Sequence, residues 1–342
     1  MQVAMYYSNR DVRLQEMPVP SIGPKEILMK VEASGICGSD VMEWYRAHKV
    51  PLVLGHEVSG VVVKKGGLVK GFKVGERIVT THHVPCFKCE YCRKGHPSVC
   101  DTLRKTNFYP GGFSQFIRLP AVNVEKGTLK IPKNISFDEA TFVEPLGCVL
   151  RGQRLAGIPK GKRVLVVGSG ISGLLHIKAA RYFKAKTIVA SDIDPFRLKK
   201  AKQFGATSVV NAKEDVAAHV KKANKGKLAE LIIICAGAQS AIKQAILSTE
   251  RGGVVLIFSA AGKGEFLPVS INEIFWKNEI TILSSYAAPP KELKEALYLI
   301  AKKKILVKDM ITHKLKLKDT QKGFGLVVNP KRSIKVIIQP NK

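Results

Sequence analysis

A β-branched run that breaks straight into three spaced glycines and then into an amphipathic helix leaves a chain few ways to fold. Lys162 to Val167 reads KRVLVV, a strand suited to burial on both faces. Gly168-Ser169-Gly170-Ile171-Ser172-Gly173 follows at once, and LLHIKAARYF continues with helical apolar spacing. In that setting G-x-G-x-x-G allows a tight turn and brings a pyrophosphate against the backbone at the positive end of a helix. Gly168, Gly170, Ile171 and Gly173 are therefore expected to hold a dinucleotide. A second strand, Thr187 to Ser191, ends at Asp192, nineteen residues past Gly173. A carboxylate there can accept from both ribose hydroxyls and repels a 2′-phosphate, so NAD is the expected cofactor and NADP is disfavoured. Arg197, close by, tempers that preference.

The alternation continues downstream. A helix-like FRLKKAKQFGA leads to SVVN, a polar helix from Glu214 leads to LIIICAG, a helix near Gln239 to Leu247 leads to GGVVLIFSA, and ITILSSY follows. Strands alternating with helices mean a parallel sheet covered on both faces, an α/β Rossmann domain. The first 140 residues differ: EILMKVEASG, VSGVVVKKG and GERIVT are short alternating stretches divided by glycines and prolines, the pattern of an antiparallel, barrel-like β domain. That pattern resumes in ITHKLKL and SIKVIIQP. A chain of 342 residues exceeds what one core commonly supports. The expected organisation is a catalytic β domain from 1–145 with 288–342, and a nucleotide domain inserted as 146–287.

Cys86, Cys89, Cys92 and Cys100 follow the spacing C-x2-C-x2-C-x7-C. Loops this short let four thiolates converge on one tetrahedral zinc, a closed and structural site. An iron–sulfur cluster uses related spacings with a more remote fourth ligand or a following proline. Cys148 and Cys235 read as small buried hydrophobes. Cys37 differs, lying in the polar turn Gly35-Ile36-Cys37-Gly38-Ser39-Asp40, and nineteen residues on comes Gly55-His56-Glu57. Thiolate, imidazole and carboxylate together can hold a second zinc, whose fourth ligand the spacing leaves open.

Lysine and arginine number 56 against 27 acids, a formal charge of +29. Such an excess fits nucleic-acid binders and proteins that steer anions. Here the lysines are scattered, the longest run is Lys302-Lys303-Lys304, and aromatics reach only 7% without basic interleaving, so specific nucleic-acid binding is not expected. No apolar run is long enough to span a membrane. The opening MQVAMYYSNRDVRL lacks a secretory pattern, so a cytoplasmic setting is expected.

GICGSD at 35–40, GHEVSG at 55–60, the four-cysteine lobe, VEPLGCVL at 143–150 and GSGISG at 168–173 occur in one order and spacing. With them the chain resembles the zinc-dependent medium-chain dehydrogenase/reductase superfamily over essentially its whole length, nearest its polyol (sorbitol-like) and threonine dehydrogenase branch. The resemblance implies a GroES-like β-barrel catalytic domain beside the Rossmann domain, two zinc ions per chain, and a homodimer or homotetramer. It implies that Cys37 and His56 hold the catalytic zinc, with Glu144 where alcohol dehydrogenases place a second cysteine. Glu57 binds directly or through water, and the two glutamates exchange roles in related enzymes. Ser39 would begin a proton relay, and Asp40 would orient neighbouring groups.

The implied reaction is oxidation of a secondary alcohol, a sugar alcohol or related polyol, with hydride passing to the nicotinamide. Relatives usually carry a histidine five residues after the zinc cysteine, and this chain has Met42 there. Glu43 and Trp44 become candidate substrate contacts. Arg151, where relatives often have histidine, would suit an anionic alternative such as a sugar-alcohol phosphate, an aldonate or threonine. A non-catalytic nucleic-acid-binding zinc protein is the distant alternative.

Overall fold

The computed structural model describes residues 1–267 and 269–342. The chain forms two compact units, Met1–Gly147 with Ala287–Lys342, and Cys148–Tyr286.

The first unit is organised around strand Ile27–Gly35, whose ILMKVEASG sequence is buried along most of its length. It pairs antiparallel with Glu57–Lys65, Phe116–Leu119 and the last strand, Lys335–Gln339, within a seven-stranded sheet. Ile27, Met29, Val31, Val58, Val62, Ile78 and Ile117 fill one core from these strands. A second core gathers around Tyr6, Phe113 and Phe324, where a three-stranded sheet of Gln2–Ser8, Asp11–Glu16 and Leu52–Val53 packs. The expected antiparallel pattern has one departure, because Ile311–Lys316 runs parallel to Lys335–Gln339. Helix Thr320–Val328 lies between them in the chain and provides the crossover that parallel neighbours require.

In the second unit six strands lie wholly parallel in the order Ser208–Asn211, Thr187–Asp192, Arg163–Val167, Ala229–Ile234, Thr249–Ile257 and Thr281–Ser284. This is the doubly wound order of a dinucleotide-binding sheet, reversing direction beside its first strand. Leu165, Val189, Ile232, Ile234 and Val255 supply its centre. Among the described residues no helix is long and apolar enough to cross a membrane.

His176 sits on the helix that follows the glycine turn and is fully buried. Its Nδ1 accepts from Gln153 Nε2 at 3.1 Å, and its ring stands edge-on to Phe258 at 4.4 Å. Burial pushes the imidazole down to about 3, so the folded chain holds it neutral while the unfolded chain protonates it near 6.5. The unfolded state then binds the extra proton between those values, and stability falls as pH drops through that window. Between pH 7 and pH 5 the wild type is expected to lose about 2 kcal/mol more than His176→Phe. Denaturant titrations of both proteins at the two pH values measure that difference.

Candidate metal centres and nucleotide site

Three donors from two strand ends converge in the first unit. Cys37 lies in the turn that leaves strand Ile27–Gly35, tightened by the Asp40 amide donating to the Cys37 carbonyl at 3.0 Å. Asp40 Oδ2 accepts from the Cys37 amide, also at 3.0 Å. His56 immediately precedes strand Glu57–Lys65 and Glu57 opens it. Ligand atoms of Cys37, His56 and Glu57 lie within 4.8 Å of one another. A soft thiolate, an imidazole and a carboxylate in one place suit zinc.

Each donor has its own support. Asp40, with no solvent exposure, places Oδ1 3.3 Å from His56 Nδ1 and so leaves Nε2 as the nitrogen available to a metal. Burial works against both charges. The His56 charge and hydrogen bond, the Cys37 amide and Arg46 nonetheless hold the Asp40 carboxyl below its ordinary range. Asp40 and Cys37 likewise raise His56 well above its own. Ser39 sends its amide and hydroxyl toward Cys37 Sγ, at 3.5 and 3.4 Å.

Glu57 meets a residue that sequence reasoning passed over. Lys335, at the start of the last strand, is fully buried, and its ammonium donates to Glu57 Oε2 and, at 3.2 Å, to the Ile36 carbonyl. The register explains the reach: Gly35 pairs with Ile337 on one side and with Glu57 on the other. A Cβ on Gly35 would collide with both the Glu57 carboxylate and the Lys335 stem, so the pair requires glycine there. The signal in the sequence was a single lysine inside the apolar strand pattern SIKVIIQP. Arg46 was also missed; it donates to the Ser39 carbonyl at 3.2 Å and stands 3.9 Å from Asp40 Oδ1.

His82 and His83 belong to this neighbourhood as well. The His82 ring lies 4.7 Å from that of His56 and 3.7 Å from that of His83, whose Nδ1 donates to the Leu103 carbonyl at 2.8 Å. Burial and nearby cations lower both imidazoles, His83 to about 4.

Cys86, Cys89, Cys92 and Cys100 form the second cluster, again with all sulfurs within 4.8 Å. Helices Glu90–Arg93 and Asp101–Lys105 begin directly after Cys89 and Cys100 and set the loop geometry. Amides of Lys88 and Cys89 pull the Cys86 thiol down to about 6, whereas burial and Cys89 push Cys92 up to about 12. Four thiolates cannot share so small a volume unless a cation neutralises them, so the donor set fits a closed zinc site.

In the second unit Gly168 adopts φ +88° at the end of strand Arg163–Val167, and a Cβ on Gly173 would strike the Gly168 carbonyl. Gly170 caps helix Ile171–Tyr182. Asp192 accepts from the Ser169 amide at 2.7 Å and from the Asp194 amide at 2.9 Å, which ties the glycine turn to the second strand. Arg197 Nη1 lies 3.8 Å from Asp192, and its buried Nε makes no hydrogen bond among the described residues.

The other sequence candidates lie on helices. Glu144 is buried in the first turn of helix Val143–Leu155 but does not join the trio within the same span. Glu43 opens a short exposed helix and accepts from the Asn9 amide at 3.1 Å; Trp44 beside it is 47% exposed. Arg151 is only 8% exposed.

Residues 23–133 match the alcohol dehydrogenase GroES-like domain, and residues 172–302 match the zinc-binding dehydrogenase family. The probable D-xylulose reductase A of Neosartorya fischeri is 33% identical over 96% of this chain and 93% of its own. The sorbitol dehydrogenase of Bacillus subtilis is 29% identical over 100% and 98%. In the crystal structure of a protein described as a zinc-binding dehydrogenase from Sinorhizobium meliloti 1021, bound to NADP, the fold superposes with a TM-score of 0.87 at 28% identity, over 99% of both chains. The chain is a zinc-binding dehydrogenase of the medium-chain superfamily. Within that superfamily it belongs to the polyol dehydrogenase branch.

If Lys335 neutralises Glu57, Lys335→Met leaves a buried carboxylate without its cation, a loss of about 3–5 kcal/mol. Metal bound by the trio would recover part of it. The variant is expected to melt below wild type and to gain more than wild type from zinc, as calorimetry of chelator-treated and zinc-loaded protein will measure. An equal zinc gain in both would place Glu57 outside the metal site.

Proposed function

We propose that this chain oxidises a secondary alcohol of a sugar alcohol or related polyol and passes the hydride to NAD. The observation that carries the reading is the mixed trio of Cys37, His56 and Glu57, with the second His56 nitrogen engaged by Asp40. These three residues would hold the catalytic zinc, with Glu144 as the exchanging carboxylate, while Cys86, Cys89, Cys92 and Cys100 hold the structural ion. Zinc, when bound, supplies Lewis-acid stabilisation of negative charge on oxygen.

The chain's own groups do the rest. Ser39 moves the alcohol proton, because its hydroxyl can accept and donate in turn. Asp40 fixes the His56 ring, and Arg46 steadies Asp40 and the Ser39 carbonyl. With Met42 in place of a relay histidine, proton transfer falls to Ser39 and solvent. Glu43 is held by Asn9, so Trp44 is the better of those two candidates for a substrate contact. The curated relatives carry polyol names, and the burial of Arg151 gives no support to an anionic substrate.

Asp192 favours NAD over NADP through its negative charge, although the S. meliloti relative carries NADP. Strand Thr281–Ser284 ends the six-stranded sheet near exposed Phe266, Ile271 and Trp276, which supports pairing with a second copy in a homodimer or homotetramer. All seven cysteines are free, in keeping with the reducing cytoplasm.

NADH formation across a panel of polyols, sugar-alcohol phosphates, aldonates and threonine tests the assignment; turnover only on anionic members would replace the substrate class. Cys37→Ser is expected to abolish turnover and remove about one of two zinc ions per chain while the melting temperature holds. Retained turnover would refute the catalytic role of Cys37. Asp192→Asn keeps an acceptor for the Ser169 amide but removes the charge, so KM is expected to rise for NAD and to fall for NADP. A parallel change in both would argue against ribose selection by Asp192.

A further inference from the structure

The six parallel strands of the nucleotide unit bring every segment that enters a strand to one edge of the sheet, opposite the glycine turn. That edge is basic. Lys160, Lys184, Lys186, Lys225, Lys227 and Arg251 all lie on it and are exposed. The segments leaving the strands carry both signs, Asp194, Glu214 and Asp215 together with Arg197, Lys213 and Lys263. Exposed cations outnumber exposed acids where the strands begin, whereas the edge that carries the glycine turn holds both signs.

At the basic edge there is a cleft of about 660 Å³, a volume within the range of small-molecule sites. Lys221, Lys227, Lys243 and Arg251 line it, and none of their side chains has a salt bridge among the described residues. Leu228, Ile246 and Ile280 add an apolar wall. Two acids also line the cleft, Glu250 and Glu273. The first is already committed: Glu250 accepts from the amides of Leu228 and Arg251, at 3.0 and 3.3 Å, and stands 3.9 Å from Arg163. Four cations thus face one cleft with two carboxylates, one of which, Glu250, has Lys227 as a charged neighbour. Ammonium and guanidinium groups arranged this way match a ligand with several phosphate oxygens.

We propose that this cleft binds an oligophosphate anion, at a site distinct from the pyrophosphate cradle of the glycine turn. Strands about five residues long separate the two edges by roughly 17 Å, so both sites can fill together.

Isothermal titration of the zinc-loaded enzyme, saturated with NAD, in 150 mM salt tests this with tripolyphosphate as the probe. Zinc content is measured before and after, so that chelation is not read as binding. One saturable site per chain is expected, with affinity at least about tenfold weaker in the Lys227→Gln/Arg251→Gln double variant. Lys294→Gln/Lys322→Gln, which removes the same charge from the other unit, should bind as wild type does. ATP binding at equal strength identifies the phosphate chain as the ligand, and tighter ATP binding identifies a nucleotide; both support the site. Equal weakening in the two double variants, displacement by NAD, no saturable binding, or binding of a single-stranded RNA oligomer with tripolyphosphate silent would each overturn it.

Discussion

Two opposite charges with almost no access to water have to face each other, and in this protein the pair is Glu57 and Lys335. Much of the first unit follows from that requirement. A residue near the end of the chain must lie beside one near its start, so the last strand enters the sheet next to Ile27–Gly35. The strand between the two must carry no side chain where the lysine crosses, which fixes Gly35. Glu57 is thereby set at the mouth of its strand, next to His56 and across from Cys37. An ion pair so buried adds little net stability beside an apolar pair of the same size, but it penalises any arrangement that leaves either charge alone. Its effect is to specify position.

The two candidate metal clusters rely on different kinds of support. The four-cysteine lobe is self-contained: its sulfurs accept from amides inside the same loop, and its spacing alone defines it. The trio of Cys37, His56 and Glu57 depends on residues outside it. Asp40 orients the imidazole, Lys335 holds the carboxylate, Ser39 donates toward the thiolate, and the His82 ring, itself tilted against His83, packs beside His56. A closed site can be assembled from local geometry, whereas an open one needs its remaining face kept clear by groups placed elsewhere.

What could be read from the sequence follows the same division. The glycine turn, the six strand runs and the four cysteines are local patterns, and local patterns survive in one dimension. Cys37 and His56 stood out because polar turn residues there interrupt apolar strands. Lys335 did not, since its meaning lies in a partner 278 residues away and a lysine in a strand ordinarily points to solvent. The parallel pairing of the last two strands was hidden for a related reason, as alternation reveals a strand but not the direction of its neighbour. Glu43 looked available because the Asn9 amide that occupies it comes from another turn of chain. Residue type and spacing alone could not tell the exposed Trp44 from the buried Arg151.

The separation of Glu57 from Lys335 also orders events on the ribosome. The four cysteines emerge within fifteen residues of one another and can capture zinc while most of the chain is still unmade. The trio emerges early too, but the lysine that neutralises its carboxylate follows only after the whole nucleotide unit, about 15–55 s later at ordinary synthesis rates. Over that interval Glu57 has no Lys335 to face. The candidate site thus lacks the cation that faces Glu57 until the strand Lys335–Gln339 has been made.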